Sequence, residues 1–252
     1  YHRLVESNVK QVRLTEVYRQ IEGSPLHDAA MNIRNGQTHD LPVYKGQKLG
    51  VYLFDCEGNP AKAAIKLRKE MECMILTPYS NGRYKESTAS LNQSLQYIFN
   101  EPTEKKLSLS IGYSNETIGI NEPVLVTKNC RELGIFNGMT GVVQNIKVVN
   151  NNVTCEIKFE GMNELLKMTK DQCWQAGLQL GYALTIHKAQ GSEYDACVIV
   201  LGSSIIENSA LYTALTRTKR LCILVGTQQM YDEALQRPPR YTTIQCGFNP
   251  SF

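Results

Sequence analysis

The stretch TIHKAQGSEYD, from Thr185 to Asp195, places polar and charged side chains between two apolar runs of strand length, LQLGYAL (178–184) and ACVIVLG (196–202). The pattern predicts a glycine-bearing loop that joins two buried strands. In an open α/β sheet, ligands bind at the carboxyl ends of the strands, and loops that leave those ends carry function. We therefore expect residues 185–193 to lie at that edge, although a polar loop is also the ordinary connection between any two strands.

Helix and strand patterns alternate on both sides of this loop. Ser24 as N-cap, Pro25 at the first helical position and Asn35-Gly36 as a stop predict a helix over 24–36. The same reasoning predicts strands at 49–55, 73–79, 182–186, 197–202 and 221–226, and helices at 61–72, 88–100 and 208–220. The alternation predicts an α/β fold in which helices cover a parallel sheet.

Two of these helices carry further expectations. The helix over 88–100 has one apolar face, formed by Leu91, Leu95, Ile98 and Phe99. Asn208 is the expected N-cap of the helix over 208–220. Three basic residues come at the end of that helix, where each would complement the helix dipole by about 0.3–1 kcal/mol. They are Arg217, Lys219 and Arg220.

The sequence pattern changes in the middle of the chain, where short β-like runs are separated by Gly and Asn. A hairpin is predicted over 141–161 with its turn at 150–152, and a further strand over 122–129. The spacing favours a small inserted β-barrel of SH3 size. We therefore predict three segments: 1–107 and 179–252 form one α/β domain, and 108–178 is the insertion.

Composition limits the function only weakly. The 252 residues carry 27 Lys and Arg against 24 Asp and Glu, so the net charge of +3 does not by itself indicate a nucleic-acid binder. The eight cysteines are scattered without a C-x-x-C pair, which favours reduced thiols in a cytoplasmic protein over metal ligands or disulfides. No apolar stretch reaches the length of a membrane span, so we expect a soluble protein without a membrane partner.

Two segments in order resemble a known family. ALTIHKAQGSEYDACVIVLG (183–202) followed by LYTALTRTKRLCILVG (211–226) resembles motifs V and VI of superfamily 1 DNA helicases, in the RecD-like branch that includes the exodeoxyribonuclease V alpha subunit and conjugative relaxase-helicases. LTEVYRQ (14–20) is similar to the arginine-bearing segment that opens the second motor domain. CMILTPYSNG (73–82), with the helix after it, is similar to motif IV. ELGIFNGMTGVV (132–143) is similar to the start of the SH3-like insertion.

The resemblance implies a RecA-like second motor domain that closes over ATP and Mg²⁺. Arg217 and Arg19 match the catalytic arginines, and arginine suits this role because its planar guanidinium grips two phosphate oxygens at once. Gln20, Gly191 and Glu193 match nucleotide-contacting positions, with Glu193 at the ribose and Gly191 allowing a close backbone approach.

The resemblance also implies contacts with single-stranded DNA. Thr185 and His187 match positions that touch the DNA backbone, although His187 also fits an ordinary surface-loop histidine. Thr77 and Asn92 belong to the motif IV region. In the insertion, Lys128, Arg131 and Asn137 would supply phosphate-binding donors. Phe136 would either stack on a base or fill the core of the barrel.

The sequence departs from a complete helicase in one respect. It has no G-x-x-x-x-G-K-[ST] phosphate loop and no convincing acidic magnesium-binding strand. We therefore expect this chain to be the C-terminal half of a 5′-to-3′ helicase. An upstream first motor domain would supply the phosphate loop and the magnesium ligands, and other subunits of a repair or conjugation complex would be further partners.

Two alternatives remain open. The chain could be a non-catalytic, helicase-derived module that docks DNA or protein, although such a module has no reason to keep Arg19, Glu193 and Arg217 together. A Rossmann-type dinucleotide enzyme is a weaker alternative, because no G-x-G-x-x-G follows a predicted strand.

The missing phosphate loop predicts that the isolated 252-residue chain does not hydrolyse ATP. Phosphate release is to be measured for the purified chain with and without single-stranded DNA. DNA-stimulated hydrolysis would contradict the prediction.

Overall fold

The computed structural model describes residues 23–80, 82–100, 106–111, 114–150, 152–202 and 206–238. Over these ranges the helices are α1 (Pro25–Arg34), α2 (Pro60–Glu70), α3 (Thr88–Phe99), α4 (Lys170–Gln175), α5 (Asn208–Leu215) and α6 (Gln228–Gln236). The strands are β1 (Gly50–Phe54), β2 (Met74–Thr77), β3 (Leu107–Ile111), β4 (Ser114–Ile118), β5 (Pro123–Leu125), β6 (Thr140–Val149), β7 (Asn152–Phe159), β8 (Leu166–Thr169), β9 (Gln179–Leu180), β10 (Ala183–Thr185), β11 (Tyr194–Val200) and β12 (Thr218–Val225).

Helix α1 shows why the sequence signals for helix ends work. The Ser24 hydroxyl accepts the His27 N–H at 3.2 Å, and Pro25 occupies the first turn, where no N–H is needed. Asn35 closes the last turn. The apolar side chains Leu26, Ala29, Ala30 and Ile33 are buried. The predicted amphipathic helix is therefore confirmed.

Five strands form a parallel sheet in the order β1-β12-β11-β2-β10. Both faces of its central strands are buried. On β12, Ile223 and Val225 pack in the cluster that includes α2 and α3, while Cys222 and Leu224 pack in the cluster that includes α1, α5 and α6. Burial on both faces is typical of parallel sheets covered by helices. The α/β prediction is confirmed.

A second sheet, entirely antiparallel, has the order β8-β7-β6-β5-β9, and β3 pairs with β4 in a separate hairpin. The predicted hairpin over 141–161 is present as β6 and β7, which pair up to Val149 and Asn152. Strands β8 and β9 are the edges of this sheet as the described residues pair. An SH3-like barrel, and the boundaries at 108 and 178, stay predictions.

The apolar run LQLGYAL does not form one strand. Its first part, β9, pairs with β5 of the antiparallel sheet, and its last part, β10, pairs with β2 of the parallel sheet. Gly181 lies between them, so close to Val124 that a Cβ would sit 3.0 Å from the Val124 carbonyl carbon. The run is therefore the crossing from one sheet to the other.

Helix α5 also differs from the expectation at both ends. It stops at Leu215, and β12 begins at Thr218, so Lys219 and Arg220 lie on a strand and the helix-dipole explanation is wrong for these two. Arg217 does meet the helix end, because its Nε donates to the Thr213 carbonyl. The N-cap is Glu207, without a side-chain cap. The Asn208 side-chain amide instead donates to the carbonyl oxygens of Ile33 and Leu235, which ties α5 to α1 and α6.

The buried face of α3 differs from the expectation as well. Leu91 and Leu95 are buried, but Ile98 and Phe99 are 41% and 43% exposed. Asn92 is buried in their place. Its Nδ2 donates to the carbonyl oxygens of Leu180 (3.1 Å) and Ala183 (3.2 Å), and its Oδ1 accepts the Ala183 N–H at 2.7 Å. One amide thus holds the crossing between the two sheets.

The cysteines of the described ranges carry free thiols, and most are buried. Burial raises the pKa of Cys73 and of Cys197 to about 12, so both thiols stay neutral near physiological pH. This agrees with reduced thiols of the protein core.

We predict that Asn92→Ala destabilises the fold, because it removes three buried hydrogen bonds to the backbone of Leu180 and Ala183. A hydrogen bond contributes about 0.5–1.5 kcal/mol net, so the free energy of unfolding should fall by about 2–3 kcal/mol. Urea denaturation measures the change. Gln93→Ala, at the exposed neighbouring position of the same helix, is the matched control. Equal stability of the two variants would contradict the prediction.

Candidate functional site

The loop over 186–193 runs from the carboxyl edge of the parallel sheet, where its strands end, to the amino edge, where they begin. At its start, Thr185 pairs with Thr77 at the carboxyl end of β2, and the Ile186 N–H donates to the Thr77 carbonyl at 3.1 Å. At its end, Tyr194 pairs with Thr218 at the amino end of β12. The expectation that residues 185–193 lie together at the carboxyl edge is therefore correct only for the first of them.

Tight turns hold the loop in place. The Thr185 hydroxyl accepts the Lys188 N–H at 3.2 Å, and the Thr185 carbonyl accepts the Ala189 N–H at 3.1 Å. Ile186 and Ala189 are buried against the sheet, whereas His187 is exposed. The turn is thus held from inside by Thr185 and Ala189, and the His187 ring remains accessible to solvent.

Arg217 lies at the amino edge, next to the end of this loop. Its backbone carbonyl accepts the Tyr194 N–H at 2.8 Å. The side chain is only 5% exposed, and its Nε donates to the Thr213 carbonyl at 3.1 Å. The terminal nitrogens make longer contacts, 3.4 Å to the Ser192 carbonyl and 3.3 Å to the Thr216 hydroxyl. Both lengths exceed the usual range for a hydrogen bond.

Gly191 and Glu193 flank the contact between Ser192 and Arg217. Gly191 has a φ of +95°, a conformation that favours glycine, and a Cβ there would meet nothing within 4 Å. A ligand can therefore approach the backbone closely. The Glu193 carboxylate is exposed and lies 3.7 Å from the Lys219 ammonium. Burial raises the pKa of the neighbouring Tyr194 to about 12, so its phenol stays neutral.

Two of the predicted site residues, Arg19 and Gln20, lie outside the described ranges. Thr185 and Arg217 are buried, and so are the two predicted residues of the motif IV region. Thr77 is fully buried, and its hydroxyl donates to the Glu86 carbonyl at 2.7 Å. Asn92 holds the sheet crossing described above. The DNA contacts assigned to Thr77 and Asn92 stay predictions, and the structure gives each side chain a supporting role within the fold.

Contacts with the antiparallel sheet extend the loop into a larger surface. The Ser192 hydroxyl donates to the Gly138 carbonyl at 3.2 Å, and a Cβ on Gly138 would sit 3.7 Å from the Lys188 carbonyl. The Lys188 ammonium donates to the Gln179 side chain at 2.8 Å. The turn that carries Asn137 therefore packs directly on the loop that carries His187.

The three predicted donors of the insertion are exposed close to this contact. They are Lys128, Arg131 and Asn137. The Asn137 N–H donates to the Asn129 side chain at 2.8 Å, which joins the two segments. Phe136 is 50% exposed, so it does not fill the core of the insertion. The fold thus brings Lys128, Asn137 and His187 onto one continuous surface, which we call the loop surface.

Sequence reasoning missed one residue of the loop surface. The Lys128 ammonium lies 5.4 Å from the ring centre of Trp174, and Trp174 is 54% exposed. A tryptophan in a β-rich segment is usually assigned to the core. The hydrogen bonds of Thr127 and Lys128 to the Ala176 carbonyl bring Lys128 next to it. Among the described residues, no group of three or more His, Cys, Asp or Glu side chains could hold a metal ion.

Comparison with known proteins finds similarity to DNA helicases. Residues 180–225, which contain the loop and Arg217, match the family model of the UvrD-like helicase C-terminal domain. The ATP-dependent RecD2 DNA helicase of Deinococcus radiodurans is 30% identical over 241 residues, which cover 92% of this chain and 31% of that protein. The RecBCD enzyme subunit RecD of Buchnera aphidicola subsp. Schizaphis graminum is 27% identical over 121 residues, 47% of this chain and 19% of that protein.

A solved structure shares the fold. The Pif1 helicase from Bacteroides, in complex with ADP-AlF3 and ssDNA, superposes with a TM-score of 0.52 at 18% identity, over 92% of this chain and 55% of that one. The RecA-like α/β fold is therefore confirmed. This chain spans less than a third of the RecD2 protein and about half of the Pif1 chain. No helix in the described ranges has the length and apolar character to cross a membrane.

Proposed function

We propose that this chain is the second motor domain of an ATP-dependent 5′-to-3′ DNA helicase of the RecD-like branch of superfamily 1. The match of residues 180–225 to the UvrD-like helicase C-terminal domain supports the proposal. The chain supplies arginine and backbone contacts to an ATP site that an upstream domain completes, and it holds single-stranded DNA on the loop surface. The relative with 30% identity is an ATP-dependent DNA helicase, which supports the proposal.

The observation that carries the proposal is the arrangement at Arg217. A buried guanidinium is costly unless it is hydrogen-bonded. Here the Nε bond to Thr213 fixes the side chain beside Ser192, the residue between Gly191 and Glu193. Phosphate oxygens can pair with the terminal nitrogens of this fork, and the fixed Nε keeps the fork oriented.

The neighbouring residues fit a nucleotide and its ribose. The backbone at Gly191 can approach a ligand closely, and the Glu193 carboxylate can accept a ribose hydroxyl by exchanging its contact with Lys219. ATP supplies the phosphoryl group and Mg²⁺ its charge neutralisation when both are bound. The carboxylate ligands of the ion are proposed to come from the upstream domain, together with the phosphate loop. Arg19 and Gln20 would complete the contacts from this chain.

The DNA side of the proposal uses His187 and Thr185 at the carboxyl edge of the sheet, and Lys128, Arg131 and Asn137 on the insertion. All of them are exposed except Thr185, which is 7% exposed. Their donors suit phosphate oxygens, which bind without strong sequence preference. Other subunits of a repair or conjugation complex remain further proposed partners.

We predict that Arg217→Lys, in the protein that joins this chain to a phosphate-loop domain, lowers ATP turnover by a factor on the order of 10³ while ATP binding changes little. Lysine keeps the charge but cannot grip two oxygens in one plane. Steady-state hydrolysis and nucleotide titration measure the two effects separately.

The matched control is Arg220→Lys, which makes the same chemical change at an exposed position of β12. It should retain the parental rate. If Arg217→Lys also retained that rate, the catalytic role of Arg217 would be wrong, and the arginine would be only a structural cation at the end of α5.

We predict that replacing Lys128 and Arg131 together with alanine weakens single-strand binding and reduces its salt dependence. Each phosphate contact contributes about 0.7 to the slope of log K against log salt for single strands, so losing two should reduce the slope by about 1.4. Binding titrations over a salt series measure it. An unchanged affinity and an unchanged slope would contradict the proposal that Lys128 and Arg131 contact the DNA.

A further inference from the structure

Trp174 is the only tryptophan of the chain, and it is exposed on a rigid support. A capping box fixes the start of α4: the Thr169 hydroxyl accepts the Gln172 N–H at 3.2 Å, and the Gln172 side chain accepts the Thr169 N–H at 2.9 Å. Cys173, which directly precedes the tryptophan, is fully buried and anchors the helix in the core. The indole is therefore presented outward by a helix that cannot easily reorient.

A second segment holds Lys128 against the indole. The backbone N–H groups of Thr127 and Lys128 both donate to the Ala176 carbonyl, at 3.1 and 3.0 Å, and the Thr127 hydroxyl donates to the Gly177 carbonyl at 2.7 Å. These bonds fix the backbone on both sides of the pair. The ammonium lies 5.4 Å from the ring centre, within the range of a cation–π contact.

The pair adjoins the loop surface. The chain runs from Trp174 to Gln179, whose side chain accepts a hydrogen bond from Lys188, the neighbour of His187. We propose that Trp174 and Lys128 form a base-stacking platform for single-stranded DNA. In it, a nucleobase stacks on the exposed part of the indole, and the Lys128 ammonium contacts the adjoining phosphate. This rests on the DNA side of the proposed function and extends it by a stacking residue.

The local charge indicates how the platform binds. Lys128, Arg131 and Lys170 are accompanied by exposed Glu132 and Asp171, so the cations are nearly balanced. Stacking, rather than phosphate attraction, therefore supplies most of the affinity at Trp174. Stacking is sequence-tolerant, because every base has a π face. An uncharged ring neutralises no phosphate, so it adds nothing to the salt slope.

The test uses two measurements on the purified chain with an oligothymidylate. Because Trp174 is the only tryptophan, the intrinsic indole emission reports on this position alone. Anisotropy of a labelled oligonucleotide reports binding independently. We expect binding to quench the indole emission. Trp174→Leu should weaken binding by about five- to 150-fold with an unchanged salt slope, and Trp174→Phe should keep most of the affinity.

Tyr97→Ala is the matched control, since it removes a 90% exposed aromatic side chain from α3. It should bind like the parent. Binding without quenching, or equal affinities for Trp174→Leu, Trp174→Phe and the parent, would overturn the platform while leaving the proposed DNA contact intact. No binding by anisotropy would overturn both the platform and the proposed DNA contact of this chain.

Discussion

Helix α3 holds both places where the chain passes between its two sheets, and the rest of the structure depends on this clamp. Asn92 binds the return crossing through Leu180 and Ala183. One and two turns later, Gln96 and Asn100 bind Glu122, just before the antiparallel sheet begins at β5. The three side chains share one helix face, since their spacing is four residues.

Glu122 shows how much this clamp matters energetically. Its carboxylate is 1% exposed and accepts from Gln96 at 2.8 and 3.0 Å, from Asn100 at 2.6 Å and from the Gly119 N–H at 2.6 Å. A buried carboxylate without such donors would be strongly unfavourable. The donors therefore fix the position of the antiparallel sheet relative to α3. That position in turn decides whether the turn at Gly138 reaches Ser192.

Caps and apolar periodicity predicted most of the parallel domain from the sequence, because those signals are local. Ser24 and Asn59, for example, each accept an N–H three residues later. The misses are long-range. Nothing near Gly181 in sequence reveals that Val124 lies against it, and nothing near Trp174 reveals that Lys128 covers its ring. The burial of Asn92 likewise depends on Ala183, which lies 91 residues away in sequence.

Ser192 joins the two sides of the candidate site. Its carbonyl meets Arg217 at the amino edge of the parallel sheet, and its hydroxyl meets Gly138 of the insertion. The two contacts belong to one residue of a tightly turned loop, so a displacement of either partner must be taken up by the same short backbone segment. The positive φ of Gly191 places the most adaptable backbone position directly before it. In the proposed motor, phosphate oxygens would replace the Ser192 carbonyl as a partner of Arg217. This exchange would act on the same backbone segment that supports the loop surface, so Ser192 would couple the ATP side of the site to the DNA side.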